Sequence, residues 1–300
     1  MKVFVTGASG YIGGSVSAAL NSAGHEVLGL VRSKQRAEQV RAHGIEPVIG
    51  TLGDADLLAK SARNADAVIN AANADDRNVI EAILPALRGS GKLFVHTSGS
   101  SIVGDMAAGE PTDKVYEDDT PVKPLSGKAA RVAISDTVLA AAKDGVRAVV
   151  ICPTLIYGQG HGVHKESIQI PWLIKLAKKH GVAKHIGRGE NIWSNVHIDD
   201  LVDLYLLVVD KAPAGAFYYA ENGENSLREV CEAISRRLEF GGRTESMSIA
   251  EATAEWNESA ANYTFGSNSR VRATRARREL GWSPHRPSLL EEIARMPSGT

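Results

Sequence analysis

The chain has 300 residues, 43% hydrophobic and 23% charged, which suits one large α/β unit or two closely joined lobes of ordinary soluble composition. Its formal net charge of −1 gives no overall case for nucleic acid or an anionic membrane as partner, and no apolar stretch reaches membrane-spanning length. Only Cys152 and Cys231 are present, with no CxxC, which fits a reducing, cytoplasmic setting and argues against a disulfide framework or a zinc site.

Residues 1–6 (MKVFVT) read as a β-branched strand, so no cleavable signal peptide is expected at this end. Gly7-Ala-Ser9-Gly10-Tyr11-Ile12-Gly13 follows at once, and a helix is predicted over 14–23. Strand, glycine turn and helix in that order suit a diphosphate, because the helix presents unpaired N–H groups and the positive end of its dipole. A glycine triplet alone is weak evidence, but on the first strand of an alternating chain it is strong.

Short buried strands are predicted at 3–5, 26–31, 46–49, 67–69, 93–96 and 148–151, with helices at 34–43, 54–63, 77–89 and 128–143 between them. Such alternation predicts an α/β fold with a doubly wound parallel sheet, covered by helices on both faces, whose ligands sit at the carboxyl ends of the strands. The second strand ends at Val31 without a carboxylate, and Arg32-Ser33-Lys34 follows. A basic strand end accommodates the extra phosphate of NADP(H), where an acidic one would bind the ribose diol of NAD. Thr51-Leu52-Gly53-Asp54 follows the third strand, where adenine would lie. Ala71-Ala72-Asn73 follows the fourth, where small side chains let the backbone approach a dinucleotide.

Beyond Tyr157 the pattern changes to a loop at 158–162, helices at 170–180 and 199–209, a strand at 216–219, a helix at 227–238, a loop-rich stretch and a final helix at 272–280. The expected division is a dinucleotide-binding domain over 1–160, returning near 195–220. A smaller C-terminal substrate lobe would comprise 161–194 and 221–300. Asp199 reads as the N-cap of its helix.

The stretches Thr6–Gly13, Ala71-Ala72, Val95–Ser98, Pro153–Gly158, Val196–Asp200 and Leu280–Pro284 lie in order along the whole chain. On these the chain resembles the extended and atypical short-chain dehydrogenase/reductase superfamily, in its NAD-dependent epimerase/dehydratase-like branch, which implies a Rossmann-type domain with a smaller C-terminal substrate lobe. The resemblance implies Gly7, Ser9, Gly10, Tyr11, Ile12, Gly13, Arg32, Ser33, Leu52, Ala71, Ala72, Arg131 and Pro153 as cofactor-binding residues, with no metal. It also implies a Tyr-x-x-x-Lys pair before the sixth strand, the lysine holding the nicotinamide ribose and the tyrosine moving a proton. Here one register puts Gly127 and Arg131 at those places and the other Pro124 and Lys128, so a cation survives and the tyrosine does not.

The catalytic candidates are Ser98, Arg131 and Tyr157: Ser98, or Ser100, to polarise a carbonyl, Arg131 at the lysine's place, and Tyr157 as proton donor. Weaker candidates are Tyr116, His161, His164, a bound water or a substrate hydroxyl. Arg270 or Arg272 could contact an anionic substrate. The expected function is an NADP(H)-dependent oxidoreductase of atypical short-chain type, acting on a small carbonyl, imine or activated alkene. The missing tyrosine favours the last two. The alternatives are an NADP(H)-binding redox sensor without turnover and a sugar-nucleotide epimerase or dehydratase. The expected state is a monomer or homodimer, without nucleic acid or membrane.

Overall fold

A computed structural model describes residues 1–297. Seven strands form the central sheet: β1 (Lys2–Thr6), β2 (Glu26–Val31), β3 (Glu46–Ile49), β4 (Ala67–Asn70), β5 (Leu93–Thr97), β6 (Arg147–Pro153) and β7 (Ala216–Ala220). All pair in parallel in the order β7-β6-β5-β4-β1-β2-β3. The period-two alternation of a strand sends Val3 and Val5 into one core and Phe4 into the other, so both faces of β1 are buried. Helices α1 (Tyr11–Ser22) and α7 (Ile198–Lys211) cover the first face; α3 (Ala55–Asn64), α4 (Arg77–Leu87) and α5 (Ser126–Ala140) cover the second. The strand order runs outward from β1 in both directions, and the cleft it leaves opens at the carboxyl ends of β1 and β4.

A second core gathers Leu155, Leu173, Leu176, Val230, Ile234 and Ile293. Around it lie α6 (Gln169–His180), α8 (Leu227–Arg237), a small sheet of strands Leu155–Tyr157, Ile192–His197 and Glu224–Ser226, and the pair Ala183–Ile186 with Thr244–Met247.

Three local expectations change. The first helix begins at Tyr11 rather than 14, because Gly10 takes the extended N-cap position and both Gly13 and Gly14 are helical. The loop-rich stretch contains helix Ile249–Glu255, short helix Glu258–Ala260 and a π-helical turn over Ala261–Phe265. A further helix, Leu289–Arg295, follows the one expected to be last. Ser288 and Glu291 close its first turn in a reciprocal capping box, a Ser-x-x-Glu signal legible in the sequence.

Candidate active site

The turn after β1 is built by close backbone approach. Gly7 has φ +76°, and a Cβ there would stand 2.6 Å from the Ala71 carbonyl oxygen, so a side chain would push β1 away from the end of β4. A Cβ on Gly13 would stand 2.4 Å from Gly7 O, which lets α1 sit directly on the turn. A Cβ on Gly10 would meet only Gly7 O, at 3.1 Å, with open space beyond. No side chain caps α1, no acidic residue lies in its first turn, and among the described residues the N–H groups of Tyr11, Ile12 and Gly13 have no partner. Free donors at the positive end of a helix, above a cradle that any side chain would fill, fit a dinucleotide diphosphate.

A cleft of ≈ 730 Å³ opens over this turn. Gly7, Ser9 and Gly10 line its centre, Arg32 and Arg36 one end, Leu52 and Thr51 the adjoining wall, and Ala71, Ala72 and Asn73 the other side. Other expected cofactor residues stand around it. Ile12 packs against the core, and Pro153 is buried at the end of β6 beside Ala220. Tyr11 donates its hydroxyl to Gly158 O (2.8 Å), so only its backbone faces the turn. Ser33 caps α2 (Lys34–Arg41), its hydroxyl oxygen accepting the Arg36 N–H at 3.2 Å. Arg36, which the sequence reading did not single out, also lines the cleft, as does His164, one of the weaker proton-donor candidates. Arg36 was legible as the residue one helical turn beyond Arg32.

A buried polar chain crosses the strand ends. Thr6 donates to Asn70 Oδ1 (2.6 Å), and the Asn70 amide nitrogen donates to His96 Nδ1 (3.1 Å). That order of donors assigns the His96 proton to Nε2, which is buried with no partner among the described residues. Burial first, and the Arg131 charge second, push the imidazole down to about 4, so it is neutral at pH 7. The sequence showed His96 only as part of a motif.

Arg131 is not open to a ligand in this state. It makes a two-pronged pair with Asp75 (Nε–Oδ1 2.8 Å, Nη2–Oδ2 2.5 Å) and donates to Ser101 Oγ (3.1 Å). The guanidinium holds the Asp75 carboxyl below its ordinary range. Ser98 is buried, accepts from the Ser135 hydroxyl (3.3 Å), and gives its N–H to Ile151 O (2.8 Å). Ser100 is buried against Ser269 Oγ (2.8 Å). Tyr157 departs from its expected role: it is fully buried, and its hydroxyl donates to Pro287 O (2.8 Å), just before helix Leu289–Arg295. Burial raises its phenol well above the ordinary range, which opposes proton transfer.

One turn before Arg131 on α5 lies Gly127. A Cβ there would stand 2.5 Å from the hydroxyl oxygen of Tyr263, and Lys128 Nζ lies 5.1 Å from the centroid of the same ring.

Other expectations are corrected by ion pairs. Asp199 does not cap α7; His197 does, its Nδ1 accepting the Asp199 N–H at 3.1 Å. The Asp199 carboxylate instead takes His161 Nε2 at 2.5 Å. Arg270 and Arg272 both bind Glu224 (2.7 and 3.0 Å), so neither is a free cation for an anionic substrate. Those two guanidiniums hold the Glu224 carboxyl at about 2.

The family model for the NAD dependent epimerase/dehydratase family matches residues 3–218. The oxidase ucsJ of an Acremonium species is 35% identical, covering 97% of this chain and 95% of that protein. A 4-hydroxy-2-methyl-3-oxo-4-farnesyl-3,4-dihydroquinoline-1-oxide ketoreductase of Stigmatella aurantiaca is 28% identical, covering 94% of this chain and 92% of that protein. The structure of dTDP-glucose 4,6-dehydratase from Bacillus anthracis in complex with NAD superposes with TM-score 0.77 at 18% identity, over 98% of this chain and 94% of that one, and so shares the fold. The matched span runs from the first strand of the central sheet into the last, and the chain belongs to the NAD dependent epimerase/dehydratase family.

Proposed function

We propose that this protein is an NADP(H)-dependent reductase of a carbonyl compound or a conjugated alkene. The observation that carries the coenzyme is the end of the cleft beyond β2, where Arg32 and Arg36 both line the wall. No carboxylate ends β2, and the nearby Asp54 is already committed to Thr51 N (2.6 Å) and Oγ1 (3.0 Å). Two guanidiniums and the α2 N-terminus suit a phosphate better than a ribose diol. The backbone of the Gly7–Gly13 turn would hold the diphosphate, and Ala71 and Ala72 would let the coenzyme lie against the end of β4. When bound, the coenzyme supplies a hydride. Ketone reduction is supported by the likeness to a named ketoreductase.

The test is spectrophotometric oxidation of NADPH and of NADH with ethyl acetoacetate and with cyclohexenone. Turnover with NADPH preferred over NADH supports the reading; equal or reversed preference removes its coenzyme half. Absence of turnover with either acceptor removes its catalytic half.

A second reading, a redox sensor that binds without turnover, is favoured by one observation. The Asp75 pair withholds Arg131 from a coenzyme ribose. It requires different affinities for NADP and NADPH, which titration calorimetry measures directly.

A further inference from the structure

We infer that the proton of the reduction comes from Tyr263, a tyrosine of the C-terminal part of the chain whose hydroxyl stands against the bare face of Gly127; the inference rests on the reductase reading above. Gly127 lies near the start of α5, inside a helix, where glycine is among the least favourable residues. The structure gives a reason for it. Any side chain at 127 would collide with the Tyr263 hydroxyl, since even a Cβ would stand 2.5 Å from it. The space left empty on α5 is filled by a phenol from elsewhere.

That phenol is placed for chemistry. Gly127 and Arg131 are four residues apart and share a helix face. Arg131 reaches Asp75 and Ser101, which follow β4 and β5, so this face of α5 looks onto the carboxyl ends of the central strands. Asp75 lies two residues beyond Asn73, itself a wall of the dinucleotide cleft. Tyr263 therefore stands on the substrate side of the same strand ends. Lys128 flanks its ring, with Nζ 5.1 Å from the centroid, a cation–π contact that holds the phenol in place.

Two further features separate Tyr263 from the other tyrosines. Tyr116, Tyr157, Tyr205, Tyr218 and Tyr219 are buried, and Tyr11 has its hydroxyl bonded to Gly158 O. Tyr263 is partly exposed, and among the described residues its hydroxyl has no hydrogen-bond partner. It also lies on the π-helical turn Ala261–Phe265, a distortion that recurs at functional sites.

The step balances as follows. The substrate carbonyl carbon accepts a hydride, two electrons and one hydrogen, for which the reduced dinucleotide of the reading above is the reductant. The C=O π pair moves onto oxygen, the Tyr263 O–H bond breaks, and its proton passes to that oxygen to give the alcohol. Water reprotonates the phenolate. A ketone is then a competent substrate, because a phenol does stand at the site although α5 carries none.

The test joins kinetics to a measurement that needs no turnover. Tyr263→Phe removes only the unpartnered oxygen, so the melting temperature and NADPH affinity of the variant are expected to match the native chain. kcat for ethyl acetoacetate is expected to fall at least about 100-fold, as for loss of a general acid. Gly127→Ala is expected to lower kcat as well by displacing the phenol, while its stability holds or rises because alanine is the better helix former. Separately, the coenzyme-free native chain is treated with tetranitromethane and nitrotyrosines are mapped by mass spectrometry. Ethyl acetoacetate is expected to protect Tyr263 selectively.

Native turnover with an equally active Tyr263→Phe overturns the inference and leaves the reductase reading standing. Native protein that binds NADPH but reduces neither acceptor overturns both. Should Tyr263→Phe fail to fold, the protection experiment decides alone, and unprotected Tyr263 overturns the inference.

Discussion

Replacing Arg32 and Arg36 by alanine, singly and together, tests the proposal that these two guanidiniums recognise the extra phosphate of NADPH. Both guanidiniums line one end of the cleft and both are exposed. A charge-assisted hydrogen bond contributes about 1.5–3 kcal/mol, and an exposed, salt-screened rim argues for the lower end. Each substitution is therefore expected to weaken NADPH binding by about 1.5 kcal/mol, close to tenfold, and the pair by about 100-fold if the two act independently. Arg36 must release its Gln39 contact (3.0 Å), an exposed bond to an uncharged amide that offsets little. NADH, which lacks the phosphate, is expected to bind each variant within about twofold of the native chain. Ser33→Ala is the poorer probe, because it also removes the α2 cap and about 1 kcal/mol of stability. Titration calorimetry at two salt concentrations reads both affinities. Loss of NADPH and NADH affinity in equal measure would refute the reasoning, since it would place the arginines on the shared diphosphate or on the fold.

Three other outcomes are expected. Gly7→Ala, which forces a side chain into a left-handed backbone 2.6 Å from the Ala71 carbonyl oxygen, should cost more than about 2 kcal/mol and abolish coenzyme binding, read by melting temperature and calorimetry. His96 is held neutral when folded, at about 4 against an ordinary 6.5, so the unfolded chain binds the extra proton between those values. The His96 contribution should fall by up to about 3 kcal/mol as pH drops from 6.5 to 4, and the slope should be shallower by that amount in His96→Gln, as urea denaturation across the window would show; His185 and His197, also lowered by burial, keep a residual slope. Glu224, held at about 2 against an ordinary 4.5, works in a lower window: its contribution is full above pH 4.5 and is lost as pH falls toward 2. Its partial exposure limits the cost of Glu224→Gln to about 1–2 kcal/mol, measurable by denaturation at pH 7.

The sheet and the glycine turn after β1 could be read along the chain because their signals are local. A β-branched run, three glycines at fixed spacing and a basic strand end each act through neighbours in sequence, and the structure gathers Gly7, Ser9, Gly10, Arg32, Leu52, Ala71 and Ala72 around one cleft. The approach of Tyr263 to α5 could not be read that way. Gly127 showed a missing side chain, while the phenol against it lies 136 positions later, on a π-helical turn in a stretch read as loop. Tyr157 looked suitable from its strand end, yet packing turned its hydroxyl toward Pro287, 130 residues away. Arg270 and Arg272 looked free until Glu224 met them across the lobe. Periodicity and spacing determined the fold and the close-packed glycine turn after β1, which depend on backbone geometry. Tertiary packing alone decided which side chains remain unpaired at the strand ends, because a polar group's partner is set by distance in space and not by distance along the chain.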